Sequence, residues 1–274
     1  MPTPHPHLDV WLVLGSVVAA YLIAGRRHER STGQATPPRV RHLFLGGMAV
    51  LWIGSDWPIH DLAEGYWYSA HMVQHLLYTL VAAPLLVAGI PAWMWRVALR
   101  PRPLRVTWRF LTRPLVALVL FNGFLLFTHW PAVVTASVGS EPLHFLLHVA
   151  IVGTAMIMWW PVVSPLPEMP PLAAPLQMLY LFLQSLVPTV PASFLTFGRS
   201  PLYPVYAAFP RLGGIDVLSD QLMAGLTMKI LGGFILWGVI AAIFFRWAAR
   251  EERDGMDALR WRDVDRDVLT EVHR

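Results

Sequence analysis

Residues 69–90 read SAHMVQHLLYTLVAAPLLVAGI, and this stretch decides the fold class. It contains no Asp, Glu, Lys or Arg, and about 20 consecutive apolar residues are enough for a helix to cross the hydrocarbon core of a bilayer. The stretch therefore predicts a transmembrane helix. Histidine is costly inside a membrane and is often functional there, yet this helix begins with two, His71 and His75, spaced four residues apart.

The composition of the whole chain also indicates a membrane protein. Of its 274 residues, 55% are hydrophobic and 14% are charged, whereas a soluble domain usually carries about 25% charged residues. Hydrophobic segments of the required length predict an all-α, polytopic membrane bundle of seven transmembrane helices. The segments cover residues 8–24, 42–56, 69–90, 114–130, 143–163, 174–196 and 217–245.

The placement of arginine predicts the orientation. Eighteen of the 20 arginines lie between segments one and two, between segments three and four, or after segment seven. Positive residues concentrate in cytoplasmic loops, so we expect the N-terminus outside and the C-terminus in the cytoplasm. We divide the chain into a membrane domain, residues 1–248, and a charged cytoplasmic tail, residues 249–274, that is either a solvated helix or a disordered end. Orientation explains the basic residues, so they give no indication of a nucleic-acid partner.

The histidines predict a metal site. The chain has no cysteine, which excludes thiolate copper sites and cysteine-based zinc sites. His144 and His148 repeat the four-residue spacing at the same, outer end of segment five. Residues at i and i+4 share one helix face, so we expect both pairs to form an outward-facing metal site between helices. For one pair alone, interfacial histidines with wet ring tips would be an equally good interpretation.

Four other residues are candidate supporting ligands. Asp220 and Met223 open segment seven, Met72 follows His71, and His60 lies in the outer loop before segment three. Imidazole suits copper, zinc or iron, and thioether sulfur favours Cu(I). We therefore expect copper, with zinc or haem as the alternatives.

Two polar residues within the predicted segments are interpreted separately from the metal site. His129, at the outer end of segment four, is expected to be interfacial. Lys229 lies about 12 residues into segment seven, and is either a functional charge or a buried amine satisfied by polar neighbours. Those neighbours would include Asn122, Gln177 or Gln184.

Small residues predict close packing between helices. Close helix approach is expected at Gly46, Gly47, Gly225, Gly232 and Gly233.

Three stretches together resemble the multi-helix CtaG-like family, the assembly proteins of caa-type haem–copper cytochrome oxidase. They read AHMVQHLLYTLVAAPLLVAGIP, HFLLHVAIVGTAMIMWWPVVSP and DQLMAGLTMKILGGFILW. The resemblance covers segments three to seven and implies a multi-pass protein of the bacterial plasma membrane, needed for an active oxidase and inferred to deliver copper. The motif positions it carries over are His71, Met72, Gln74, His75, His144, His148, Asp220 and Gln221.

The leading hypothesis is a non-enzymatic cytochrome c oxidase assembly factor. It would hold copper between helices three, five and seven and pass it to an oxidase subunit, either directly or through a second copper chaperone. The alternatives are a haem-binding membrane protein or oxidoreductase with bis-His ligation, a copper transporter, and a purely structural partner of the oxidase. Metalloprotease chemistry is disfavoured because neither histidine pair carries the Glu of an HExxH motif.

Overall fold

The computed structural model describes residues 7–272, with side chains described through Asp254. Every regular element in this range is helical, which confirms the all-α prediction. The helices are α1 Leu8–Thr32, α2 Pro38–Ser55, α3 Ile59–Gly65, α4 Tyr68–Gly89, α5 Ala92–Ala98, α6 Arg102–Leu111, α7 Pro114–Thr128, α8 Pro131–Val138, α9 Glu141–Val163, α10 Ala174–Phe197 and α11, residues 217–272. Two short 3₁₀ turns, Pro204–Ala208 and Leu212–Gly214, lie between α10 and α11.

Five of these helices are long and apolar enough to cross a membrane: α1, α4, α9, α10 and the Val217–Asp254 part of α11. Helices α6 and α7 form a sixth candidate only as one unit, bent by 79° at the break between them. The seven predicted spans are therefore not confirmed. The predicted segment 42–56 corresponds to α2. Arg39 and Arg41 lie in the first turn of this helix, so its apolar part is shorter than the helix itself.

Helices also form outside the predicted segments, in α3 and α8 and in two arginine-rich stretches. The arginine-rich connection between α4 and α7 contains α5 and α6, and α6 has no buried residue. The tail continues α11 as a helix to Val272. Residues 273–274 of the predicted tail lie outside the described range.

Close backbone contacts hold α4 and α11 against their neighbours. A Cβ atom on Gly89 would lie 2.2 Å from the backbone nitrogen of Phe44, so only glycine fits where α4 crosses α2. On Gly225, a Cβ would lie 2.7 Å from the carbonyl oxygen of Ala192 in α10. The predicted close approach is confirmed at Gly47, Gly225 and Gly232, and it is wrong at Gly46 and Gly233, where a Cβ would fit.

Helices α4 and α11 each contain one π-helical turn. The turns cover Leu77–Ala82 in α4 and Thr227–Leu231 in α11. The two helices are neighbours here, because a Cβ on Gly232 would lie 3.2 Å from the Leu76 side chain. Such turns interrupt the regular hydrogen-bond ladder and occur often at functional sites. Both lie next to the histidine cluster described below.

Candidate metal centre

Four histidines converge where α4 and α9 begin. The ring centroids of His71 and His75 lie 4.4 Å apart, and those of His144 and His148 lie 4.2 Å apart. Between the helices, the His148 centroid lies 5.3 Å from that of His71 and 5.2 Å from that of His75. Each pair thus shares a helix face, and the two faces meet as the spacing predicts. We call these four residues the histidine cluster.

Three of the four imidazoles have a ring nitrogen suited to a metal. His71 Nδ1, His75 Nε2 and His148 Nε2 are buried and find no hydrogen-bond partner in the described part of the chain. A buried polar atom without a partner costs about 1–3 kcal/mol. Ligand atoms of these three residues lie within 4.8 Å of one another, and tetrahedral sites with bonds of about 2.0 Å space their ligand atoms about 3.3 Å apart. Small side-chain rotations would therefore bring all three to one ion.

Glu64, at the end of α3, adds a carboxylate that the sequence analysis missed. Its Oε1 atom lies 2.6 Å from His144 Nε2. Glu64, His71 and His144 form a second group whose ligand atoms lie within 4.8 Å of one another. The available sequence signal for Glu64 was its position seven residues before His71, in the short segment that precedes α4. The chain reversal between α3 and α4 that returns it to the cluster has no comparable signature.

Asp220 was predicted as a supporting ligand, but its contacts are those of a helix cap. It has no exposed surface, and its carboxylate accepts hydrogen bonds from the backbone nitrogens of Tyr68, at 2.8 Å, and Ser69, at 3.0 Å. The Ser69 hydroxyl donates a third bond to it at 2.6 Å. The first N–H groups of a helix lack partners within the helix and favour a negative charge. Asp220 therefore caps α4 from α11, and neither ligand group includes it.

The motif glutamines also fix the scaffold around the cluster. Gln221 accepts a hydrogen bond from the Leu202 backbone nitrogen at 2.8 Å and donates to the Tyr203 carbonyl at 3.0 Å. Gln74 donates to the Gly54 carbonyl of α2 at 2.7 Å. Both glutamines are almost fully buried. They therefore set the positions of the loop before α11 and of α4 relative to α2.

The remaining predicted ligands are spread around the cluster. Met72 is buried and lines the cavity that the four histidines line. Met223 is 45% exposed, so the structure does not bring it to the cluster. His60 lies outside both ligand groups, with its ring edge-on to His7 at 4.6 Å between centroids. Burial lowers the pKa of His60 below its ordinary value of 6.5.

His129 was expected at the interface, but it is only 6% exposed. Its Nδ1 atom lies 2.8 Å from the Leu125 carbonyl oxygen. A carbonyl only accepts, so Nδ1 carries the proton and Nε2 holds the lone pair. The ring centroid lies 6.1 Å from that of His75. The interfacial interpretation was therefore wrong, because the α7–α8 corner folds over this end of the bundle.

Two cavities meet at the cluster. One is lined by all four histidines, and the other, larger one extends along α4 and α11 to Lys229. Met72, His75 and His129 line both. The Lys229 ammonium lies 4.8 Å from the ring centroid of Phe197, within the range of a cation–π contact. Lys229 is thus stabilised by an aromatic ring, not by the amides that the sequence suggested.

Comparison with protein families gives a match over most of the chain. The model of a family described as cytochrome c oxidase caa3 assembly factor matches residues 19–250, a range that includes every residue of both ligand groups. Comparison with curated proteins and with solved structures gives no match.

Proposed function

The chain belongs to the cytochrome c oxidase caa3 assembly factor family, and we propose that it binds copper at the histidine cluster and delivers it to an oxidase subunit. The observation that carries this proposal is the meeting of three buried ring nitrogens that have no other partner among the described residues. Their convergence from two helices offers a donor set of the kind that helix bundles use for metals.

The donor set favours copper as the cargo. Imidazole ligands suit copper and zinc, and a thioether beside them favours Cu(I). Met72 supplies that sulfur next to the cluster. A three-ligand site also leaves a coordination position open. A recipient protein can bind the ion there before the histidines release it, so delivery requires ligand exchange and no catalysis.

The proposed topology places the cluster on the outer side of a bacterial plasma membrane. The chain would cross seven times, with α2 as one crossing and α7, which corresponds to the predicted segment 114–130, as another. The N-terminus would lie outside, because the arginines of the connections after α1 and α4 and of the tail would then be cytoplasmic. Copper would be received from the outside and passed to the oxidase subunit, either directly or through a second chaperone.

The ring spacing disfavours the haem alternative. Two axial imidazoles on one haem iron have ring centroids about 6 Å apart. The rings within the cluster lie 4.2–5.3 Å apart, which is closer than that spacing. His75 and His129, at 6.1 Å, do match it, and the Soret band in the test below decides that case. A copper transporter would need ligands along a path across the membrane. The larger cavity offers the thioethers of Met72, Met158 and Met228 among mainly apolar side chains, so copper flux into membrane vesicles is the measurement that separates transport from assembly.

The test is metal and optical analysis of the purified protein in detergent. We expect close to one copper per chain and no Soret band in the wild type, and loss of copper in His71→Ala. His42→Ala is the control, because His42 is exposed on α2 and lies outside both ligand groups. Equal copper in wild type and His71→Ala would contradict the proposal. A Soret band lost in His71→Ala would assign the protein to the haem class.

A further inference from the structure

We propose that the cluster contains two overlapping metal positions that share His71, and that copper enters at the outer one and moves to the inner one. The outer position consists of Glu64, His71 and His144, and the inner position of His71, His75 and His148. This inference rests on the proposed copper binding and adds the route by which the site is loaded.

The contact between Glu64 and His144 suggests that these two side chains would bind one metal ion. Glu64 Oε1 and His144 Nε2 lie only 2.6 Å apart. Both atoms are buried, and at this distance they form an ion pair that a bound ion would replace with two metal bonds. On the other side of the ring, His144 Nδ1 lies 3.1 Å from the Ser137 hydroxyl, so that nitrogen has a polar partner. Ligand atoms of a tetrahedral site lie about 3.3 Å apart, so a further separation of about 0.7 Å would turn this pair into neighbouring ligands on one ion.

Depth along the helices orders the two positions from outside to inside. His75 and His148 lie one turn further into α4 and α9 than His71 and His144, and Glu64 lies before α4, with 32% of its side chain exposed. Glu64 is also the one carboxylate in the two groups. An exposed negative charge attracts cations and raises their rate of association. An ion arriving from solution therefore meets the Glu64 position first.

The shared ligand explains how the ion would move. The ring centroid of His71 lies 5.3 Å from that of His144 and 5.3 Å from that of His148. His71 can stay bound while His75 and His148 replace Glu64 and His144 in turn, so the ion is never released to water. Copper remains Cu(I) and no proton is required, because the incoming imidazoles are neutral donors. Since both positions need His71, the site holds one ion at a time.

Loading kinetics test this route. Purified protein would be mixed with Cu(I) supplied as its bicinchoninate complex in a stopped-flow instrument. We expect Glu64→Gln to load about tenfold more slowly than the wild type, because the attracting carboxylate is lost, and to reach the same final affinity. Glu141→Gln is the matched control, because Glu141 is an exposed acidic residue of the first turn of α9 that belongs to neither group.

A double variant tests the outer position by itself. His75→Ala/His148→Ala should still bind one copper, more weakly, with an oxygen ligand in X-ray absorption spectra, and adding Glu64→Gln should remove it. Wild-type loading by Glu64→Gln, or loss of its final affinity, would overturn the route while leaving copper binding in place. So would absence of copper in a double variant that elutes as a folded monomer in gel filtration. A wild type that binds no copper would instead overturn the proposed function.

Discussion

Replacing Asp220 with asparagine separates a structural role from a ligand role. In the structure the Asp220 carboxylate accepts two backbone hydrogen bonds and one hydroxyl hydrogen bond at the start of α4. Asparagine has nearly the same shape, but it keeps one acceptor oxygen and turns an NH₂ group toward the remaining donors. The variant therefore loses the charge and at least one hydrogen bond in a fully buried position.

The expected cost follows from those bonds. A hydrogen bond to a charged group contributes about 1.5–3 kcal/mol, and an unsatisfied buried donor costs a further share of its desolvation. We expect Asp220→Asn to lower the free energy of unfolding by about 3 kcal/mol. Asp216→Asn is the control. Asp216 also caps a helix, through the Leu218 and Ser219 nitrogens, but it is exposed, and asparagine caps about as well as aspartate.

Unfolding by SDS in mixed micelles, followed by far-UV circular dichroism, measures the stability difference. Copper per folded chain is measured on the same samples. We expect Asp220→Asn to be less stable and still to bind one copper, and Asp216→Asn to match the wild type in both. Wild-type stability combined with loss of copper in Asp220→Asn would refute the reasoning, because Asp220 would then be a ligand and not a cap.

Two other predictions test the geometry of the cluster and of the helix packing. His71→Ala should weaken copper binding by at least about 100-fold in chelator competition, because both ligand groups lose a member, and loss of a residue that only orients a ligand already costs about 10–100-fold. His144→Ala should weaken it much less, because the group of His71, His75 and His148 stays complete, and equal losses in the two variants would contradict the shared position of His71. Gly89→Ala should lower the free energy of unfolding by at least about 2 kcal/mol, because its Cβ would lie 2.2 Å from backbone of α2. Gly15→Ala, where a Cβ meets nothing within 4 Å, should be neutral or slightly stabilising, and comparable SDS unfolding curves for the two variants would contradict the packing account.

The parts of the fold that could be predicted depend on local sequence. Residues 69–90 predict a helix because their length and apolar character suffice, and the structure places it at Tyr68–Gly89. The meeting of the histidine pairs also followed from local rules, because a four-residue spacing fixes a face and both pairs begin a span. Helix α2 was harder to assign, because its arginines lie inside the helix, not before it.

The parts that could not be predicted depend on contacts between distant residues. Asp220 resembled a ligand because a carboxylate near an outer helix end often binds a cation. Its actual partners, Tyr68 and Ser69, lie about 150 residues earlier in the chain. Glu64 and His129 reach the cluster through reversals of the chain at α3 and at the α7–α8 corner. No periodicity in the sequence encodes such reversals, so a single sequence gives their residues no distinctive pattern.

The copper content of the oxidase in cells tests the central claim most directly. The cytochrome oxidase would be purified from a strain whose only copy of this protein carries His71→Ala, and its ratio of copper to haem compared with that from wild-type and His42→Ala strains. We predict normal haem and a clearly reduced copper content in the His71→Ala strain, restored in part by added copper salt. A full copper complement in that strain, with the variant protein present in the membrane at the wild-type level, would contradict the account.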